Sequence, residues 1–210
     1  MRGDLDECLA WQVLCEPDDF IGASSVSYLD SYLSGASSRA QLTAPGFPDW
    51  RLYGVLQKEE FYLPLVMGIS NPLKLTRWAD IDRRHFSEGQ CFETLRTEFM
   101  RFHAAYGFIK FPDQSWPAHE TEAEFWQGFA KRPGMYMGRS DGWGLYCFLS
   151  GMANGGDWLG LPKMTLLETI FSKIKDKSEQ TYGSSFAAFR YHNSNLTELL
   201  IWAGLREGGH

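Results

Sequence analysis

Five histidines, four cysteines and a handful of acidic clusters hold most of the reactive side chains in this chain of 210 residues. His85, His103, His119, His192 and His210 are scattered, with no short-range pairing of the kind a metal ligand set uses. They read as surface or helix-edge residues, and no metal site is assigned. Cys8, Cys15, Cys91 and Cys147 contain no CxxC pair and read as small hydrophobes kept reduced. Cys147 lies in an apolar helical run, a core environment that disfavours the thiolate. Acidic clusters occur at Asp4/Asp6/Glu7, Glu16/Asp18/Asp19, Glu59/Glu60 and Glu120/Glu122/Glu124. Such clusters are first of all solvated faces, and none combines an apolar pocket with a second carboxylate as glycosidase chemistry requires. Gly155-Gly156 reads as a helix C-cap and Ser184-Ser185 as an N-cap, and the GxSxG nucleophile elbow is absent. No catalytic or cofactor-binding residue is therefore assigned, and no cofactor is expected.

Composition narrows the partners. Apolar residues make up 44%, charged residues 22% and aromatics 15%, including eight Trp, which describes a globular chain with much rigid aromatic area. The formal net charge of -6 runs against generic nucleic-acid binding. The acidic start lacks the basic and apolar run of a secretory signal. The longest apolar stretch, 61–69, is about half of the roughly 18–20 residues that span a bilayer and contains Pro64. A cytoplasmic protein that avoids membranes and nucleic acid is the expectation.

The elements that must position any site are mainly helical. A capping residue followed by Glu or Gln three positions later marks helix starts at Asp4, Ser87, Thr121, Thr165 and Asn195. The helix after Ser87 carries Phe92, Leu95, Phe99, Phe102 and Tyr106 at alternating three- and four-residue spacing, with Gly107 as its stop. Glu16-Pro17 and Arg132-Pro133 end two others. Residues 52–56 and 61–67 fit a small β-hairpin, although Asp49 would equally cap a helix there. Residues 108–111 fit a short strand, and the proline-containing linker 112–118 is the best boundary.

Shifting the chain by 116 positions aligns residues 17–35 with 133–151 without a gap, and seven of the nineteen positions are identical: Pro17, Gly22, Ser24, Leu29, Leu33, Ser34 and Gly35. Mechanically, Pro ends a helix, an aromatic and its apolar neighbour plug the core, and Gly permits the turn. Ser then caps the next helix, whose Ser-Gly step admits a close backbone. Tyr136 and Met137 are thus core residues in this reading. The expected architecture is mainly α, with helical pseudo-repeats at 1–107 and 112–205 packed as one globular unit, and the two turns should superpose.

Arg132-Pro-Gly-Met-Tyr-Met-Gly138, followed by Leu145…Phe148-Leu-Ser-Gly151, resembles small bacterial immunity proteins of polymorphic-toxin and contact-dependent inhibition systems. In that family a W-x-x-I step and an aromatic helix follow, matched here by Trp78-Ala-Asp-Ile81 and by Glu88…Phe92…Leu95…Phe99. The first copy departs from the pattern at Glu16 and Asp19, where the family has Arg and Met. The second has Met152 for Tyr and lacks the closing aromatic helix. The string Arg132-Pro-Gly-Met-Tyr136 also occurs in type II topoisomerase ATPase domains, but Asp141-Gly-Trp-Gly144 is not their DxGxG. The immunity resemblance implies a cytoplasmic, non-enzymatic protein that occludes a cognate toxin domain. The acidic surface would suit a basic toxin, with Asp18, Asp19, Glu120, Glu122 and Glu124 as the contact candidates. The alternatives are a small helical hydrolase that reverses a toxin's modification, and an interaction adaptor.

Overall fold

Prolines and caps divide the chain much as their chemistry dictates. The structure, a computed structural model, describes residues 8–43, 87–106, 121–184 and 187–207. In order these form α1 (Leu9–Cys15), α2 (Pro17–Phe20), α3 (Val26–Thr43), α4 (Glu88–Tyr106), α5 (Glu122–Lys131), α6 (Pro133–Met137), α7 (Gly142–Trp158), α8 (Thr165–Tyr182), α9 (Ala187–Tyr191) and α10 (Leu196–Trp202). Every element among the described residues is helical, so the fold is mainly α. The hairpin or helix at 52–67, the strand at 108–111, the linker 112–118 with the domain boundary, the Trp78–Ile81 step and Glu120 lie outside the described residues.

Three helix starts satisfy their end groups as expected. Ser87 and Gln90 cap each other reciprocally, with Ser87 N–H donating to Gln90 Oε1 at 2.8 Å and Gln90 N–H to Ser87 Oγ at 3.3 Å. Thr121 Oγ1 accepts from Glu124 N–H at 3.1 Å, and Asn195 Oδ1 from Glu198 N–H at 3.4 Å. Helix α1 begins at Leu9 after an extended Cys8, and the expected cap at Asp4 lies outside the described residues. Three expectations shift. Met164, buried against the core, holds the N-cap of α8 and makes Thr165 the first helical residue. The caps of α3 and α7 are Ser25 and Asp141, one position beyond Ser24 and Ser140. Gly155 and Gly156 lie inside α7, which ends at Trp158, and the left-handed residue is Gly160. A glycine pair placed at a helix crossing is indistinguishable in sequence from one that ends a helix. Here Gly155 meets Ala36, and Gly156 meets the stem of Arg39.

Residues 116 positions apart play matching parts. Pro17 and Pro133 each occupy the first turn of a short helix, after Glu16 (φ -128, ψ 58) and Arg132 (φ -142, ψ 60). Gly22 and Gly138 then turn the chain with φ of 69 and 68, a left-handed conformation costly for other residues. Ser25 Oγ accepts from Tyr28 N–H at 3.3 Å, and Asp141 Oδ1 from Gly144 N–H at 2.7 Å. A third element completes each cap: Glu88 accepts from Ser27 N–H at 2.9 Å, and Asn193 Oδ1 from Trp143 N–H at 2.9 Å. Finally, Ser31 Oγ donates to the Met137 carbonyl at 2.6 Å, while Cys147 Sγ donates to the Ile21 carbonyl at 3.8 Å.

Helices α3 and α7 form the central seam. A methyl on Gly35 would strike the Phe148 carbonyl, and one on Gly151 would strike the Tyr32 carbonyl, so the expected close approach is present and is reciprocal. One apolar cluster gathers α1, α3 and α4 around Leu14, Leu29, Tyr32, Phe92 and Phe99, with Trp11 stacked on Phe99 at 5.6 Å. The other gathers α5, α7, α8, α9 and α10 around Phe125, Phe129, Phe148, Ile174 and Leu199. Trp143 and Tyr146 pack against both.

The two plug residues divide their roles. Met137 is fully buried, as expected. Tyr136 is only half-buried, its ring lying edge-on to Phe125 at 5.3 Å and tilted against Phe129 at 5.6 Å. Tyr136→Ala should therefore cost about 2 kcal/mol, below the roughly 3–5 kcal/mol of a fully buried aromatic truncation. Chemical denaturation measures this, and a loss equal to that of a core phenylalanine would contradict the half-buried geometry.

Burial also sets an alkaline limit. It pushes the Tyr32 phenol far above its ordinary range, against the opposing pull of the hydrogen bond from Asn154. It raises the Cys147 thiol likewise. The folded chain thus keeps both protons where the unfolded chain releases them. Their contribution is complete below the unfolded values and is lost as pH rises through the folded ones. Melting temperatures should hold to about pH 9 and fall steadily above it. A flat profile through the alkaline range would refute this assignment.

Candidate functional site

Two clefts adjoin along α7. The larger, of about 660 Å³, is lined by Asp18 and Gly22 from the α2 turn, Trp143 and Tyr146 from α7, and Arg190 and Tyr191 from α9. The smaller, of about 300 Å³, takes Asp19 and Phe20 from α2, Ala153 and Asn154 from α7, Phe171 and Lys175 from α8, and Phe189 from α9. Tyr146 lines both. These volumes fall at the scale of side-chain and small-ligand pockets.

The floor is held by its polar edges. Trp143 Nε1 donates to the Ile21 carbonyl at 2.7 Å, and its ring meets Tyr146 at 4.7 Å. The Arg190 guanidinium lies over the Trp143 ring, 5.2 Å from its centre, a cation–π contact. The α9 wall is fixed from behind. Tyr182 Oη and His192 Nε2 are 2.6 Å apart, and His192 Nδ1 lies 2.9 Å from Glu198 Oε2. With Glu198 ionised, Nδ1–H donates to it and Nε2 accepts from the phenol. Tyr191 stacks on Tyr182 at 4.7 Å, and the edge of His192 meets Trp202 at 4.8 Å. This hydroxyl–imidazole–carboxylate series has the order of a nucleophile relay, but none of its three members lines either cleft. It ties His192 to α8 and α10 within the 187–195 segment, whose Asn193 carbonyl and side-chain amide oxygen cap α7.

The acidic candidates separate into two places. Asp18 and Asp19 sit exposed in the first turn of α2, with no salt-bridge partner among the described residues, and each faces a different cleft. Glu122 and Glu124 occupy the first turn of α5, where negative charge suits the helix N-terminus. Glu122 Oε1 accepts from Trp126 Nε1 at 3.4 Å, and neither residue lines a cleft. Glu122 acts instead on Arg39, a buried guanidinium in α3 that donates to Thr43 Oγ1 at 2.6 Å and to the Pro162 carbonyl. Burial lowers the Arg39 pKa, and Glu122 and Asp157 oppose that shift.

Sequence reasoning missed Arg190, Lys175, Tyr191 and the setting of His192. His192 carried one usable signal, an acid six positions on at a capped helix start, which is compatible with an imidazole–carboxylate pair. Among the described residues no group of three or more His, Cys, Asp or Glu side chains is arranged to hold a metal ion. No helix among them is long and apolar enough to cross a membrane. Comparisons with protein-family models, curated proteins and solved structures find no match.

Proposed function

We propose that this chain is an immunity protein that binds a basic toxin domain one-to-one and neutralises it by occlusion, in the cytoplasm, without catalysis or cofactor. We further infer that residues 8–43 and 124–159 are two copies of one helical unit. The matched turns, caps and crossed hydrogen bonds at the 116-residue offset support that second inference.

The observation that carries the functional reading is how the immunity-like residues are used. Pro133 and Met137 are buried and Tyr136 packs on Phe125 and Phe129, so the shared pattern builds scaffold. Beside the first of the two turns, the exposed Asp18 and Asp19, which have no salt-bridge partner among the described residues, line aromatic clefts. Aromatic anchors supply affinity, while unpaired charges steer encounter and penalise wrong partners.

Co-expression tests the reading. Cells making the C-terminal domain of a large secreted toxin encoded directly upstream should survive when this chain is present in stoichiometric amount. Asp18→Lys together with Asp19→Lys should slow association with that domain and flatten its salt dependence, without changing the melting temperature. Protection at strongly substoichiometric amounts, with the toxin's target repaired, would show an enzyme instead.

A further inference from the structure

We propose that the paired clefts flanking Tyr146 form one docking groove for an extended segment of a partner protein. That segment sets one apolar side chain in each cleft, turns basic residues toward α2 and turns acidic residues toward α8 and α9. The floor supports two anchors. Trp143 lines one compartment, Phe171 and Phe189 line the other, and Tyr146 lines both. In an extended chain, side chains at i and i+2 share a face about 7 Å apart, the arrangement two adjoining compartments accept.

The lips set the direction. Helix α2 offers Asp18 to the larger cleft and Asp19 to the smaller, while α9 and α8 offer Arg190 and Lys175 respectively. Among the described residues none of these four has a salt-bridge partner, so one lip is acidic, the other basic, and neither neutralises the other. An occupant with opposite charges on its two edges complements both lips, and the reverse orientation meets like charge on both. The Tyr182–His192–Glu198 series fixes the α9 wall before anything binds, which lowers the ordering cost of association.

This groove rests on the immunity reading only in taking the partner to be the toxin domain, and it is testable without one. The probe is a phage-displayed library of random linear peptides, selected on the intact chain. The selection is repeated on Ala187→Trp and Ala153→Trp, which fill one cleft each, and on the surface exchange Asp19→Lys with Lys175→Glu. Selected peptides should share two apolar residues two positions apart, accompanied by a basic and an acidic residue. They should lose about tenfold or more in affinity for each filled variant. The charge exchange should reverse the charge preference beside the smaller cleft and leave that beside the larger cleft, where Asp18 and Arg190 are unchanged. Peptides that bind all variants equally, or no enrichment on the intact chain, overturn the groove. The two readings fail separately. Groove-specific peptides with no protection of toxin-expressing cells overturn the immunity reading and leave the groove. Full protection by both filled variants overturns the groove as the toxin surface and leaves the immunity reading.

Discussion

Gly151→Ala is expected to lower stability by about 3 kcal/mol or more, a fall of roughly 6–12 °C in melting temperature for a chain of this size. The added methyl would point into the Tyr32 carbonyl. A backbone group in the middle of an 18-residue helix cannot swing aside as a side-chain tip does. The helices must separate, and the crossed bonds from Ser31 to Met137 and from Cys147 to Ile21 stretch with them. Gly35→Ala should cost a similar amount, because its methyl meets the Phe148 carbonyl across the same seam. The double substitution is the sharper test. Once one methyl has pushed the helices apart, the second finds room, so the combined loss should fall short of the sum. Additive losses in urea titrations would mean that the two contacts yield independently.

Phe148→Ala should be the costliest truncation in the second cluster, on the order of 4 kcal/mol. Its ring is fully buried and stacks on Phe129 at 5.0 Å and on Phe125 at 6.4 Å, so removal unseats α5 from α7 as well as opening a cavity. Its backbone carbonyl also borders Gly35, which couples the cavity to the seam. Calorimetry of the variant decides the matter. A loss below that of Tyr136→Ala would mean that α5 is held by contacts other than its aromatic face.

Features set by neighbours along the chain were legible in the sequence. Ser87 with Gln90, Thr121 with Glu124 and Asn195 with Glu198 form their bonds within one helical turn, and the helix after Ser87 buries Phe92, Leu95 and Phe99 as its spacing requires. What failed was set by distant partners. Gly155-Gly156 carries a stop signal in isolation, yet it serves the crossing with α3. Met164 displaced Thr165 as cap because its side chain is drawn into the core. Asp18 and Asp19 stood out as a pair of acids. That each faces a different cleft follows from the juxtaposition of α2, α7, α8 and α9, which no local pattern encodes. Arg190 and Lys175 belong to no repeat or motif of the sequence, and the buried Arg39 gave no local sign.

The crossed bonds at the seam also set a timetable for synthesis. The Ile21 carbonyl receives its donors from Trp143 and Cys147, and Gly35 of α3 receives its neighbour from α7. A ribosome that has just placed Gly35 must add 116 more residues before Gly151 exists. At about 5–20 residues per second that delay is roughly 6–23 s. For that interval the nascent α3 lacks the helix that closes on it, which makes this stretch of translation the window in which chaperones matter most.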